Sequence, residues 1–310
     1  MNKIAFLFPG QGSQYVGMGK ELVSVFPDAK EIMDKANSIL DFNVEKLCFE
    51  GPEVKLNNTE YTQPAIYTIS YIVNMILNKK EIYPDMVAGH SLGEYSALAS
   101  AGVYDFEDGL KLVRNRGQIM KNTVPDNMGS MAAIIGLSDE KLLLICQQVE
   151  GICEVANYNS PGQIVISGEK DTIDKACKMA DENGAKKTVK LDVSGPFHSS
   201  LMKPAEEKFE VVLSNIEIKR PKFPVVANVT ADIVESPSEI KELLLKQLSG
   251  SVRWVESIEL MKSRGVETFI EVGPGRVLKG LLRRIDRSLN AYNVQDIKSL
   301  DKLLNKMVYG

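Results

Sequence analysis

The chain has 310 residues, of which 44% are hydrophobic and 25% are charged, and its formal net charge is −4. This composition is typical of a globular enzyme with room for more than one structural unit, and the negative charge argues against broad nucleic-acid binding. No apolar run approaches the length of a membrane span or a signal-peptide core, so we expect a cytoplasmic protein, and we expect a monomer.

The cysteines carry no metal-binding pattern. None is spaced as C-x-x-C, and each lies in an apolar or helical pattern: Cys48, Cys146, Cys153 and Cys177. We expect reduced packing thiols rather than disulfides or a zinc site, and we expect neither a metal nor a cofactor.

The first predicted strand, residues 4–8, runs into a glycine-rich loop at 9–14. The glycine spacing matches neither G-x-G-x-x-G nor a phosphate-binding loop. A loop at the carboxyl end of a strand can instead donate its backbone amides and the Gln11 side-chain amide into a crevice. The alternative is a turn that only connects strand and helix.

Amphipathic patterns predict helices at 19–26, 29–40, 65–78 and 106–121. Gln63 precedes the third helix and is either a cap-region residue or a pocket-lining one; we expect it to line a pocket.

Between the last two helices, residues 87–94 join an apolar run to Ser91, which Gly89 and Gly93 flank as G-x-S-x-G. This pattern predicts a strand that turns sharply into a helix, with an exposed serine hydroxyl at the apex. The amino end of that helix would face the oxygen on which an oxyanion forms during acyl transfer. The alternative is a serine in an ordinary turn.

Residues 125–195 predict an inserted subdomain. The predicted order is strand 131–135, helix 139–149, strands 153–158 and 163–167, helix 172–183 and strand 187–193. This βαββαβ order is ferredoxin-like. The fold class is therefore α/β, with a larger domain formed by 1–124 and 196–310. After the insertion we predict strands at 223–229 and 268–272 and helices at 236–248, 255–264 and 297–308.

The chain has only two histidines, His90 beside Ser91 and His198 where the chain leaves the insertion. A serine hydroxyl needs a base within hydrogen-bond reach. We expect His198 to be that base, because His90 emerges on the opposite side of the turn; the alternative for His198 is a core histidine. Asp192 or an uncharged group such as a backbone carbonyl could orient the imidazole.

Six ordered motifs resemble the malonyl-CoA:acyl carrier protein transacylase family of fatty-acid synthesis, and the resemblance covers essentially the whole chain. The motifs are residues 8–14, 89–94, Arg116 with Gln118, 159–163, 195–199 and 271–275. The resemblance implies a hydrolase-like larger domain with a mainly parallel sheet. It also implies ping-pong transfer, with malonyl held on Ser91 as an ester between release of coenzyme A and arrival of the carrier thiol.

The family pattern implies a set of catalytic roles. His198 would be the general acid and base, and the Gln247 main-chain carbonyl would orient it. The Gln11 and Leu92 amides would form the oxyanion hole.

The pattern also implies substrate contacts. Arg116 would pair with the free malonyl carboxylate, a role that suits a planar guanidinium; a solvated helix residue is the alternative. Phe197 would leave little space for an α-methyl branch, which makes methylmalonyl a poor substrate. His90 and Gln63 are the other candidate substrate contacts.

A basic cluster follows the last motif, and it is a candidate surface for docking an acidic carrier protein: Arg276, Lys279, Arg283, Arg284 and Arg287. Solvated helix surface is the alternative. Three other functions stay open from the residues, namely a serine thioesterase or esterase, a trans-acting polyketide acyltransferase and a noncatalytic acyl-binding protein.

Overall fold

Two sheets organise the fold. The computed structural model describes residues 3–125, 127–193 and 195–309. In chain order the elements are β1 (Lys3–Phe8), α1 (Lys20–Val25), α2 (Pro27–Ile39), α3 (Val44–Glu50), α4 (Glu53–Leu56), α5 (Thr59–Lys79), β2 (Met86–Gly89), α6 (Leu92–Ser100), α7 (Phe106–Lys121), β3 (Gly129–Ile135), α8 (Asp139–Gln148), β4 (Cys153–Ser160), β5 (Gln163–Glu169), α9 (Lys170–Glu182), β6 (Lys187–Lys190), α10 (Lys203–Ser214), β7 (Val225–Val226), β8 (Ile233–Val234), α11 (Pro237–Lys246), α12 (Trp254–Ser263), β9 (Val266–Val272), α13 (Val277–Ile285), β10 (Asn290–Val294) and α14 (Ile297–Tyr309).

The larger sheet has six strands in the order β10-β9-β1-β2-β7-β8. All its pairs are parallel except β7 with β8. Along β1, Phe6 and Phe8 face one buried cluster while Ala5 and Leu7 face another. Because both faces are covered, the strand reads as a continuous apolar run, as buried parallel strands do.

The smaller sheet has four antiparallel strands in the order β4-β5-β3-β6, with α8 and α9 packed on it. This is the ferredoxin-like arrangement, so the predicted fold class is confirmed. The exact subdomain limits, 125 and 195, stay a prediction, and residues 1, 2 and 310 of the predicted larger domain lie outside the described residues. Within the described ranges, no helix has the length and apolarity needed to cross a bilayer.

The helix predicted to begin near residue 65 begins at Thr59 instead. Pro64 lies inside its second turn, where its missing N–H leaves the Glu60 carbonyl without a helical donor. Arg114 Nη1 donates to that carbonyl over 2.7 Å. A long-range contact therefore makes the proline tolerable, and Gln63 lies within the helix rather than before it.

Candidate active site

Ser91 lies between the end of β2 and the start of α6, with φ 52° and ψ −108°. This left-handed backbone is strained for a residue other than glycine. A Cβ on Gly93 would lie 2.0 Å from the Phe8 carbonyl oxygen, and one on Gly89 would lie 1.9 Å from the Gly93 carbonyl. The two glycines are therefore needed to bring the strand, the turn and the helix together at the serine. We call this strand–turn–helix segment, residues 89–93, the elbow.

The Ser91 hydroxyl contacts the His198 imidazole. Ser91 Oγ lies 2.7 Å from His198 Nε2, and His198 Nδ1 lies 2.9 Å from the Gln247 carbonyl and 3.0 Å from the Gly250 carbonyl. Since carbonyls only accept hydrogen bonds, Nδ1 carries the proton and Nε2 accepts from the serine. The exposed Asp192 side chain lies at the cleft but not on Nδ1.

Burial, helped by the positive charge of Arg116 and by His90, lowers the pKa of His198 to about 3. The imidazole is therefore neutral at pH 7, which is the form that can accept the serine proton. His90 lines the cleft with its Nε2 2.7 Å from Asn159 Oδ1 and its ring edge-on to Trp254. Burial lowers the pKa of His90 as well.

Arg116 is buried on α7 and points at the same serine. Its Nη2 donates to Ser91 Oγ over 3.3 Å and to Gln247 Oε1 over 3.0 Å, and its Nη1 donates to Gln63 Oε1 over 2.8 Å. Among the described residues no carboxylate lies within salt-bridge distance of this guanidinium. A buried cation held only by neutral groups is suited to an anionic ligand.

Two residues of this site had no role assigned from the sequence, Asn228 and Glu94, although Glu94 ends the 89–94 motif. Asn228 Oδ1 accepts from the Ser91 N–H over 2.7 Å, and Gln247 Nε2 donates to Glu94 Oε2 over 2.6 Å. Burial raises the pKa of Glu94 to about 7, against hydrogen bonds from Gln247 and Asn228 and the charge of Arg116. The sequence signal for Glu94 was a lone carboxylate in a helix of apolar and small residues, nearly all of which are buried. Nothing in the sequence marks Asn228.

The Gln11 and Leu92 residues line the cleft next to Ser91. Leu92 is the first residue of α6, where backbone donors lack helical acceptors. Within the described part of the chain, neither main-chain N–H donates a hydrogen bond to another protein group. The loop approaches the elbow closely, since a Cβ on Gly10 would lie 2.3 Å from the His90 carbonyl oxygen.

The cleft around Ser91 has a volume of about 280 Å³. It is lined by loops that follow strands of the larger sheet and by residues of the smaller sheet. Its apolar wall includes Met120, Met131, Leu191, Val193 and Phe197. A cavity of this size suits a short acyl group rather than a long chain.

The basic cluster divides in space. Arg276, Lys279 and Arg283 line a second cavity of about 570 Å³ together with Lys298 and Lys302 of α14. Arg284 instead bonds Gln163 of the smaller sheet, and neither it nor Arg287 lines this cavity. Of the described residues that line this cavity, Asp296 alone has an acidic side chain.

Comparison with known proteins identifies the family. The family model described as acyl transferase domain matches residues 5–304. The malonyl CoA-acyl carrier protein transacylase of Bacillus subtilis is 47% identical over 97% of this chain and 96% of its own length.

Solved structures agree with this. The malonyl CoA-acyl carrier protein transacylase from Clostridium perfringens has a TM-score of 0.95 at 43% identity, covering 99% of this chain and 97% of that one. A type II PKS acyl-carrier protein in complex with its malonyl-transacylase gives a TM-score of 0.96 at 43% identity, covering 98% and 99%. With its serine elbow, its histidine and this likeness over nearly its full length, the chain belongs to the acyltransferase family that includes the malonyl CoA-acyl carrier protein transacylases.

Proposed function

We propose that this chain transfers malonyl from malonyl-CoA to the phosphopantetheine thiol of an acyl carrier protein, through a malonyl ester on Ser91. The observation that carries the proposal is the 2.7 Å contact between Ser91 Oγ and His198 Nε2, with Arg116 Nη2 3.3 Å from the same oxygen. The names of the relatives support the choice of substrate and carrier.

In the first half-reaction, His198 Nε2 takes the proton as Ser91 Oγ attacks the thioester carbonyl. The oxyanion that forms would accept from the Gln11 and Leu92 amides, which donate to no other group among the described residues. When the carbon–sulfur bond breaks, the coenzyme A thiolate takes the proton from His198 and leaves as a thiol.

The second half-reaction reverses these roles. His198 takes the proton of the carrier thiol, whose sulfur attacks the malonyl ester, and Ser91 Oγ leaves and regains a proton. Neutral carbonyls of Gln247 and Gly250 orient His198, so the base is less activated toward water than one paired with a carboxylate. This favours transfer to a thiol over hydrolysis.

Arg116 would hold the free carboxylate of malonyl and would also tune the base. After burial, its charge is the next cause of the low pKa of His198. A malonyl carboxylate paired with Arg116 neutralises that charge and raises the pKa of His198. The correct acyl group thereby strengthens the base, which acetyl cannot do. Phe197, on the cleft wall, would disfavour an α-methyl branch.

The carrier protein would dock at the basic cavity between α13 and α14. Gly275, beside Arg276, packs against Ser13 in the loop whose Gln11 and Gln14 line the active cleft. An acidic partner at this cavity would therefore lie next to the cleft. The proposal also includes a monomer in the cytoplasm; the four cysteines, which are buried and free, suit a reducing compartment.

The test is a transfer assay with malonyl-CoA and purified holo carrier proteins of both fatty-acid and polyketide type. Mass spectrometry follows the carrier, and released malonate is measured in parallel. We expect a malonylated carrier, with malonate release much slower than transfer and methylmalonyl-CoA a poor donor. If malonate and coenzyme A are released at the same rate when no carrier is present, the result would instead favour a thioesterase.

A further inference from the structure

A pair of thiols lies behind the candidate base. Cys146, in the last turn of α8, and Cys153, the first residue of β4, have their sulfur atoms 3.4 Å apart. Both line a surface cavity of about 370 Å³ that His198 and Gly250 also line. The transfer mechanism uses neither thiol.

The two thiols are poised to react with each other. Their sulfur atoms need to approach by only about 1.4 Å to reach disulfide bonding distance. Cys153 donates to the Cys146 sulfur, which lowers the pKa of Cys146 and raises that of Cys153. A thiolate is the form that peroxides oxidise. By contrast Cys48 is fully buried, and burial raises its pKa.

Strand β4, which begins at Cys153, is hydrogen-bonded to the segment 250–252, which helps to orient His198. The Val252 N–H donates to the Ala156 carbonyl over 2.8 Å, and the Val252 carbonyl accepts from the Tyr158 N–H over 3.0 Å. Two residues earlier, the Gly250 carbonyl accepts from His198 Nδ1. A shift of β4 would therefore act, through these two backbone hydrogen bonds, on the segment that carries the Gly250 carbonyl.

We propose that Cys146 and Cys153 are a site of reversible oxidation by hydrogen peroxide, and that their disulfide slows the enzyme by displacing β4 and the Gly250 carbonyl. The Cys146 thiolate attacks one peroxide oxygen, the O–O bond breaks, and the leaving hydroxide takes up the proton that Cys146 released. The Cys153 sulfur then attacks the Cys146 sulfenic acid, whose hydroxyl leaves with the Cys153 proton as water. One peroxide becomes two waters as two thiols become one disulfide.

Peptide mapping tests the site independently of the proposed function. The full chain is treated with hydrogen peroxide, its remaining thiols are alkylated, and it is digested with a glutamyl endopeptidase, which cuts after Glu150 between the two cysteines. The digest is analysed by mass spectrometry. We expect the peptides that hold Cys146 and Cys153 to be joined, with the loss of two hydrogens, and to separate with dithiothreitol. A folded protein in which peroxide never joins them would overturn the proposal.

The rate measurement rests on the proposed function. We expect oxidised enzyme to transfer malonyl about five- to ten-fold more slowly and to recover with dithiothreitol. Cys146→Ser and Cys153→Ser should keep the basal rate and resist peroxide, while Cys177→Ser, in the same subdomain, should stay sensitive. If a serine variant misfolds, the alanine variant serves the same purpose. A mapped disulfide with an unchanged rate, or equal inhibition of Cys146→Ser, would contradict the proposal.

Discussion

Gln247 connects the nucleophile, the base and the guanidinium. Its carbonyl accepts from His198 Nδ1, its Oε1 accepts from Arg116, and its Nε2 donates to the Ser91 carbonyl and to Glu94. The sequence could predict Ser91 and His198, because a G-x-S-x-G pattern and a chain with two histidines leave few choices. It could not derive Gln247 from the residues, because a backbone carbonyl has no side-chain signature; only the family resemblance named it.

The two histidines should carry opposite tautomers. His198 Nδ1 faces two carbonyls, so its proton lies on Nδ1, whereas His90 Nε2 faces Asn159 Oδ1, so its proton lies on Nε2. Nitrogen-15 NMR of the side chains distinguishes the two forms. Two equal tautomers would contradict this assignment.

The pKa of His198 also predicts a pH dependence. This pKa of about 3 lies below the 6.5 of a free imidazole. At a pH between these two values, the imidazole is therefore more fully protonated in the unfolded chain than in the folded chain. The free energy of unfolding should therefore fall as the pH drops through that window. In the same NMR experiment we expect His198 to remain neutral at about pH 5, where a free imidazole is mostly charged. A charged His198 at that pH would contradict the prediction.

Arg116 should distinguish malonyl from acetyl. We expect Arg116→Ala to slow acylation of Ser91 by malonyl-CoA by at least about 100-fold, since an unpaired buried carboxylate costs about 3 kcal/mol or more. Acylation by acetyl-CoA should fall far less. The matched control is Arg114→Ala, two residues away on α7, which pairs with Asp41 and Glu60 instead. It should affect both substrates equally, and an equal loss for both in Arg116→Ala would count against the carboxylate role.

At the level of elements, strand–turn–helix signals were reliable where the apolar run was long. The sequence patterns did not predict the short strands correctly. β7 has two residues where the pattern at 223–229 predicted a longer strand, and β8 and β10 were not predicted. A two-residue strand is too short to show a periodic pattern, and its pairing depends on residues that are distant in the sequence. The start of α5 was predicted late for the same reason, because the contact that makes Pro64 tolerable comes from Arg114, fifty positions away along the chain.

The elbow predicts a large effect from a small substitution. Gly93→Ala would drive a Cβ into the Phe8 backbone at 2.0 Å, so we expect a loss of at least about 3 kcal/mol in the free energy of unfolding. Gly280→Ala is the control, because its Cβ would meet nothing within 4 Å in helix α13. It should be neutral or stabilising by up to about 1 kcal/mol. Thermal unfolding compares the two, and similar melting temperatures would show that the elbow is not constrained as described.

In the whole molecule, the two sheets meet at the active cleft. The βαββαβ order could be predicted because each element has its own local pattern. The contacts across the junction could not, because Asn159 with His90 and Asn157 with Val252 join residues distant in sequence. The same limit applies to the basic cavity: Lys298 and Lys302 lie on another helix, and only folding brings them beside Arg283.

The basic cavity predicts a charge-dependent step. We expect Lys302→Glu to raise KM for an acidic carrier protein several-fold and to weaken its dependence on salt, without changing Ser91 acylation by malonyl-CoA. Lys208→Glu makes the same charge change at an exposed site on α10, away from the cavity, and should leave both steps unchanged. Steady-state assays at several salt concentrations measure these effects. An unchanged carrier KM in Lys302→Glu would place docking elsewhere.

The most direct test of the mechanism is the intact mass of the protein after brief exposure to malonyl-CoA without a carrier. We predict one malonyl group on the wild-type chain, located on Ser91, and none on Ser91→Ala. The His198→Ala variant should acquire the malonyl group far more slowly, because the Ser91 hydroxyl has lost the imidazole, 2.7 Å away, that takes its proton. A malonyl adduct that forms on Ser91→Ala at the wild-type rate would contradict the account.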